Sequence, residues 1–137
     1  MLMTRECDYA VRILRALADG EMKSVAQICR SEDLKTAIAY KLTRKLEQAG
    51  ILTSCRGAGG GYAAAKDPGE LNLYEICRAV DKDLFLNDCM KEGYVCSRNP
   101  ADTPCMVHKE LCRIQAILVK ELRRKTLKDI LTAENGV

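Results

Sequence analysis

The sequence predicts a mainly α-helical fold, a winged helix-turn-helix with a two-stranded wing and a long C-terminal dimerisation helix. Three observations predict it. Apolar residues recur at helical spacing through the first 50 positions, with few aromatic residues that would favour a sheet (4% aromatic, one Phe and no Trp). A glycine-rich run, RGAGGG, sits between two short strand-like runs directly after the third helical segment. A last apolar stripe, over four turns, follows a stretch with no periodicity.

Residues 4–19 place Cys7, Ala10, Val11, Leu14, Leu17 and Ala18 on one face, with Thr4 as N-cap and Gly20 as the stop. Ser24 caps a short helix, VAQICR, that ends near the polar SED stretch. Lys35 to Ala49 form a third helix with Ile38, Leu42 and Leu46 inward and Gly50 ending it. The tight connection between the second and third helices makes a helix-turn-helix. ILTSC reads as a strand, RGAGGG as its connection and YAAAK as the returning strand, which together make a wing. GAGGG also has the look of a dinucleotide-binding loop, but no βαβ unit surrounds it.

Pro68-Gly69 marks a turn, and Leu73, Ile76, Cys77 and Val80 a short helix packing back on the core. Residues 81–104, with Gly93, Pro100 and Pro104, read as a loop. The last helix is expected to start with Thr103 as N-cap and Pro104 at its first position. Its stripe is Val107, Leu111, Ile114, Leu118 and Leu122. So small a domain leaves little core for a helix this long, so pairing with the same helix of a second subunit is the economical expectation. The organisation is then residues 1–80 as a DNA-binding head, 81–104 as a cysteine-bearing sensor loop, and 105–137 as dimerisation helix and tail.

Charge points to the partner of the head. Residues 1–66 carry eleven Lys/Arg against seven Asp/Glu, whereas residues 67–137 carry eleven against twelve. The basic excess lies in Lys35, Lys41, Arg44, Lys45 and Arg56, with Glu47 the only acid between 34 and 66. An anionic partner is expected there, and a recognition helix beside a wing makes it double-stranded DNA. No apolar stretch is long enough for a membrane span, and charges interrupt the N-terminal apolar run where a signal peptide needs a core. A cytoplasmic protein is expected. No CxxC pair, no flavin or nicotinamide loop in context and no acid–base pair argue for an enzyme.

Eight cysteines are many for a reducing compartment, and Cys89, Cys96, Cys105 and Cys112 fall within 24 residues. Such clustering points to metal or redox chemistry before disulfides. Thiolates are the usual iron–sulfur ligands, and imidazole can replace one. Cys105 is expected in the first turn of the last helix, where the dipole favours a thiolate, with His108 and Cys112 along the same face. Cys7, Cys29 and Cys77 lie on apolar helix faces and read as core, and Cys55 reads as packing within the wing.

The run LTRKLEQAGILTSCRGAGGGYAAAKDP, followed by LNLYEICRAVD, resembles the IscR-type winged-helix regulators, among them iron–sulfur cluster regulators and nitric-oxide-sensing repressors. RECDYAVRIL is similar to that family's opening helix, and the resemblance spans about residues 3–130. It implies a homodimer on an imperfect palindrome, with two recognition helices in successive major grooves. By position, Thr36, Ala37, Tyr40 and Lys41 would meet base edges, and Arg44 and Arg56 phosphate or, from the wing, the minor groove. Gly59 and Gly60 would let the wing backbone approach the DNA closely. The resemblance also implies a 2Fe–2S or 4Fe–4S cluster held by Cys89, Cys96 and Cys105. Cys105-x2-His108 resembles the iron–sulfur regulator's ending, although both cysteine gaps are longer here. The fourth ligand stays open between His108, Cys112 and Asp8 from the first helix of the other subunit. The expected function is a transcription regulator, a repressor, gated by that cluster. The alternative is a cluster-free regulator of the same fold that responds to thiol oxidation or to a protein or metabolite partner.

Overall fold

The computed structural model describes residues 3–133, so residues 1–2 of the expected head and the last four of the expected C-terminal unit lie outside the described residues. Six helices and one hairpin follow in order: α1 (Arg5–Ala16), α2 (Val25–Glu32), α3 (Thr36–Gln48), β1 (Leu52–Cys55), β2 (Gly61–Ala64), α4 (Leu73–Val80), α5 (Met106–Arg124) and α6 (Leu127–Thr132). The mainly helical winged helix-turn-helix is therefore the observed fold.

Local chemistry sets most boundaries. The Thr4 hydroxyl accepts from the Cys7 amide at the start of α1, and Gly20 closes the following turn at φ +82°. Ser24 and Gln27 form a reciprocal capping box on α2. Asp33 then takes the left-handed conformation, φ 53°, and donates its amide to the Cys29 carbonyl. That single residue turns the chain sharply enough for α3 to begin three positions later.

The core of the head gathers Ile13, Leu17, Ile28, Leu42, Leu46 and Ile76, all fully buried, from α1 to α4. The buried Thr43 hydroxyl donates to the Ala39 carbonyl (2.9 Å), so it adds no unsatisfied polar group. The hairpin pairs antiparallel from Leu52↔Ala64 to Cys55↔Gly61. A bridge between Lys23 and Tyr62, with N···O distances of 2.9 and 2.8 Å, ties the returning strand to the α1–α2 connection. Gly61 makes that bridge possible: at φ +150°, any Cβ there would collide with the Lys23 carbonyl.

Two features at the C-terminal end differ from the sequence expectation. The Thr103 amide closes a turn onto the Pro100 carbonyl, and the Cys105 amide is taken by the Asn99 side chain (2.7 Å). Thr103 is thereby spent on a turn, and α5 starts at Met106 with Cys105, rather than Thr103, at the cap. The chain also folds again after α5. Thr126 and Asp129 form a capping box, the Leu127 amide donates to the Leu71 carbonyl (2.7 Å), and Leu127 is buried in the head's core. What reads as a tail is a short helix that anchors the far end of α5. No helix is long and apolar enough to cross a membrane among the described residues.

Candidate DNA interface and cysteine loop

The recognition surface is built by α3 and the hairpin. Inward burial of Ala39, Leu42, Thr43 and Leu46 leaves Thr36, Ala37, Tyr40, Lys41 and Arg44 on the exposed side of α3. Tyr40 is 54% exposed, so its ring is open to a partner beside the wing. A groove of about 530 Å³ runs between α3 and the wing, and its lining includes Ser24, Tyr40, Arg44, Ser54, Arg56 and Tyr62. Sequence reasoning named Tyr40, Arg44 and Arg56 but missed Ser24, Ser54 and Tyr62. Ser24 and Tyr62 come together where the Lys23–Tyr62 bridge joins β2 to the start of α2, and Ser54 on β1 donates to Glu47 of α3.

Charge on this surface is mostly free. Neither Arg44 nor Arg56 has an ion-pair partner among the described residues. Glu47, the one nearby acid, accepts from the Ser54 hydroxyl. Lys41 is different: its ammonium pairs with the Glu6 carboxylate from α1, which also takes Lys45 at 2.8 Å. These two lysine hydrogen bonds, Lys41's first, hold the Glu6 carboxyl below its usual range. Lys45 in turn donates to the Val80 carbonyl (2.7 Å), so Glu6 knots α1, α3 and the end of α4. Gly59 stands open at φ +75°, whereas a Cβ on Gly60 would strike the Cys55 carbonyl. Gly60 is therefore required by the hairpin itself.

The eight thiols separate into two populations. Cys7 and Cys77 are fully buried and adjacent between α1 and α4, where burial, with Cys7 alongside, pushes the Cys77 thiol up to about 12. Cys29 is half-buried against the core, and Cys55, expected to pack, is instead exposed on the wing. Its strand pairs only with β2, so the face that Cys55 shares has no layer above it. Cys89, Cys96 and Cys105 are half-exposed and Cys112 is exposed.

The loop between α4 and α5 is folded down at both ends. Gln115, the only buried residue of α5, accepts from the Leu86 amide (3.0 Å) and donates to the Leu84 carbonyl (2.9 Å). At the other end Asn99 holds Cys105. Between them a single 3-10 turn, Asp88–Met90, brings Cys89 to α5, where its sulfur lies 3.4 Å from His108 Nδ1. Cys112 Sγ lies 3.4 Å from the other ring nitrogen, Nε2. Cys96 and Cys105 are on the same loop, but their sulfurs make no hydrogen bond to these three side chains. Asp8 is exposed on α1 and pairs with Arg12 at 2.9 Å. Three thiols and one imidazole are a donor set whose chemistry fits an iron–sulfur cluster. Among the described residues, no group of three or more His, Cys, Asp or Glu side chains is gathered closely enough to hold a metal ion in this conformation.

A winged helix-turn-helix with a basic recognition helix and a glycine-rich wing defines a DNA-binding transcription regulator. Its family follows from comparison: residues 3–133 match the Rrf2 family, described as an iron-dependent transcriptional regulator, and the chain belongs to it. It is 29% identical to the HTH-type transcriptional regulator NsrR of Shouchella clausii, over all of this chain and 93% of that protein. Among solved structures it is similar to CymR, the global cysteine regulator of B. subtilis (TM-score 0.71, 23% identity, 97% of this chain and 98% of that one). It is similar also to T. potens IscR (TM-score 0.68, 20% identity, 98% and 93%). The NsrR and CymR relatives are named as regulators, not as enzymes.

Proposed function

We propose that the chain is a homodimeric repressor whose operator affinity is controlled by an iron–sulfur cluster held by the 89–108 loop. The head (residues 1–80), the sensor loop (81–104) and the dimerisation helix with its tail (105–137) are its working parts. The observation that carries this reading is the approach of Cys89 to His108, 19 residues apart in sequence, on a loop that also bears Cys96 and Cys105.

On the DNA side, Thr36, Ala37, Tyr40 and Lys41 read base edges, while Arg44 and Arg56 engage phosphate, Arg56 reaching the minor groove from the wing. Lys41 exchanges its Glu6 contact for DNA. Val107, Ile114 and Ile117 are 68%, 40% and 50% exposed on α5, and a second copy of α5 is the surface that covers them. Two-fold pairing then presents two recognition helices to a palindromic site.

Cys89, Cys96, Cys105 and His108 would hold the cluster, with Cys112 or the other subunit's Asp8 as alternatives to His108. When bound, the cluster supplies a centre that oxygen, nitric oxide or iron shortage can remove. Gln115 fastens the start of the loop to α5, and Asn99 fastens its end to the cap of α5. A change in the loop therefore bears on the helix that sets the separation of the two heads, the kind of two-state element coupling needs.

Anaerobic purification with visible absorption and iron and sulfide analysis tests the reading. A brown protein that loses iron and sulfide in Cys89→Ala, Cys96→Ala or Cys105→Ala supports it, and a colourless protein after reconstitution overturns it. The four half-exposed or exposed loop and α5 thiols favour one second reading, a cluster-free regulator answering thiol oxidation. Operator affinity that changes with a disulfide-forming oxidant in iron-free protein would decide for it.

A further inference from the structure

The chain has one histidine, and the structure holds its ring from both sides. Nδ1 faces Cys89 and Nε2 faces Cys112, each at 3.4 Å. In a neutral imidazole the two nitrogens have opposite roles, one carrying the proton and the other the lone pair. They also point to opposite sides of the ring. An atom bound at Nδ1 beside Cys89 is therefore out of reach of a sulfur placed at Nε2.

We infer that Cys112 is the positioning residue of His108: its sulfur accepts the Nε2–H hydrogen bond and leaves the Nδ1 lone pair aimed to the Cys89 side. Helix geometry makes the contact cheap, since positions 108 and 112 are one turn apart on α5 and share a face. Cys89 arrives from the loop, so the pair within α5 can exist before the loop closes. The purpose of the arrangement rests on the cluster reading above. A ligating histidine usually donates its second N–H to a neighbouring acceptor, which fixes the ring and raises its basicity, and loss of such an acceptor costs about 10–100-fold in metal affinity. Cys112 is then not a fourth ligand but the group that orients it.

Because the chain has a single histidine, ¹⁵N-histidine labelling of the full-length protein gives one imidazole signal set. In metal-free protein, at a pH where the ¹⁵N shifts report a neutral ring, the expected result is a protonated Nε2 whose hydrogen exchanges slowly. Cys112→Ala loses that slow exchange, and Cys112→Ser, which keeps an acceptor, restores part of it, with helical circular dichroism unchanged. In iron-loaded protein, Cys112→Ala keeps the nitrogen hyperfine signature of His108 while iron affinity falls about 10–100-fold and the midpoint potential shifts. A protonated Nδ1 in the wild type, or identical imidazole signals in wild type and Cys112→Ala, overturns the inference. So does complete loss of iron in Cys112→Ala with the same spectrum as Cys89→Ala, which would make Cys112 a ligand. A colourless wild type that still shows the Cys112-dependent Nε2 proton retires the cluster reading and leaves the positioning contact standing.

Discussion

The head and α5 both carry apolar stripes at helical spacing, yet they meet opposite fates. In α1, five of twelve residues are buried, among them Ile13 and Leu14. In α5 one of nineteen is buried, and it is the polar Gln115. The same pattern of residues that closes a core in one region is left half open in the other. Periodicity reports that a face is apolar; what covers that face depends on what lies within reach. In the head three other helices are in reach, whereas α5 touches its own chain through α4, the Asp88–Met90 turn and its two anchored ends.

That contrast can be broken by mutation. Leu42→Ala should cost about 2–5 kcal/mol in urea unfolding, as a fully buried leucine in a closed core. Ile117→Ala, half exposed on α5, should change the stability of the dissociated chain by about 0.5 kcal/mol or less while weakening self-association in sedimentation. Equal losses for both would mean that α5 packs into its own chain. Gln115→Ala should cost about 1–3 kcal/mol, because the Leu86 amide and Leu84 carbonyl lose their partner. Faster amide exchange at Leu86 is the local readout.

Arg56→Ala should leave folding intact and weaken DNA binding across all sequences, lowering the salt-dependence slope by about one unit for one phosphate contact. An unchanged slope would remove the wing from the interface. Glu6→Gln should change stability only slightly, by about 1 kcal/mol or less for part-exposed ion pairs. Its sign with pH is fixed: the folded carboxyl sits below its ordinary 4.5, so the ion pairs contribute above that pH. Their contribution is lost as pH falls through the lowered folded value. Glu6→Gln should therefore flatten the acid limb of the stability profile, and it should raise DNA affinity at low salt by freeing Lys41.

The sequence alone determined what depends on near neighbours. Thr4 and Ser24 as caps, Gly20 as a stop and the inward set Leu42 and Leu46 follow from hydrogen-bonding groups and spacings within one or two turns. So does the exposed row from Thr36 to Arg44, because a helix that buries one face must show the other. Tertiary structure decided what depends on groups far apart in sequence. Asn99 and the Pro100 turn moved the start of α5 past Thr103, and Leu71 captured Leu127 to make a helix of the tail. Gln115 found its partners 29 and 31 residues away. Glu6 engaged Lys41, an exposed lysine that sequence alone assigns to DNA. Long-range hydrogen bonds and ion pairs leave no period in the sequence, since either partner could as well be satisfied by water, and only the folded chain brings them within reach.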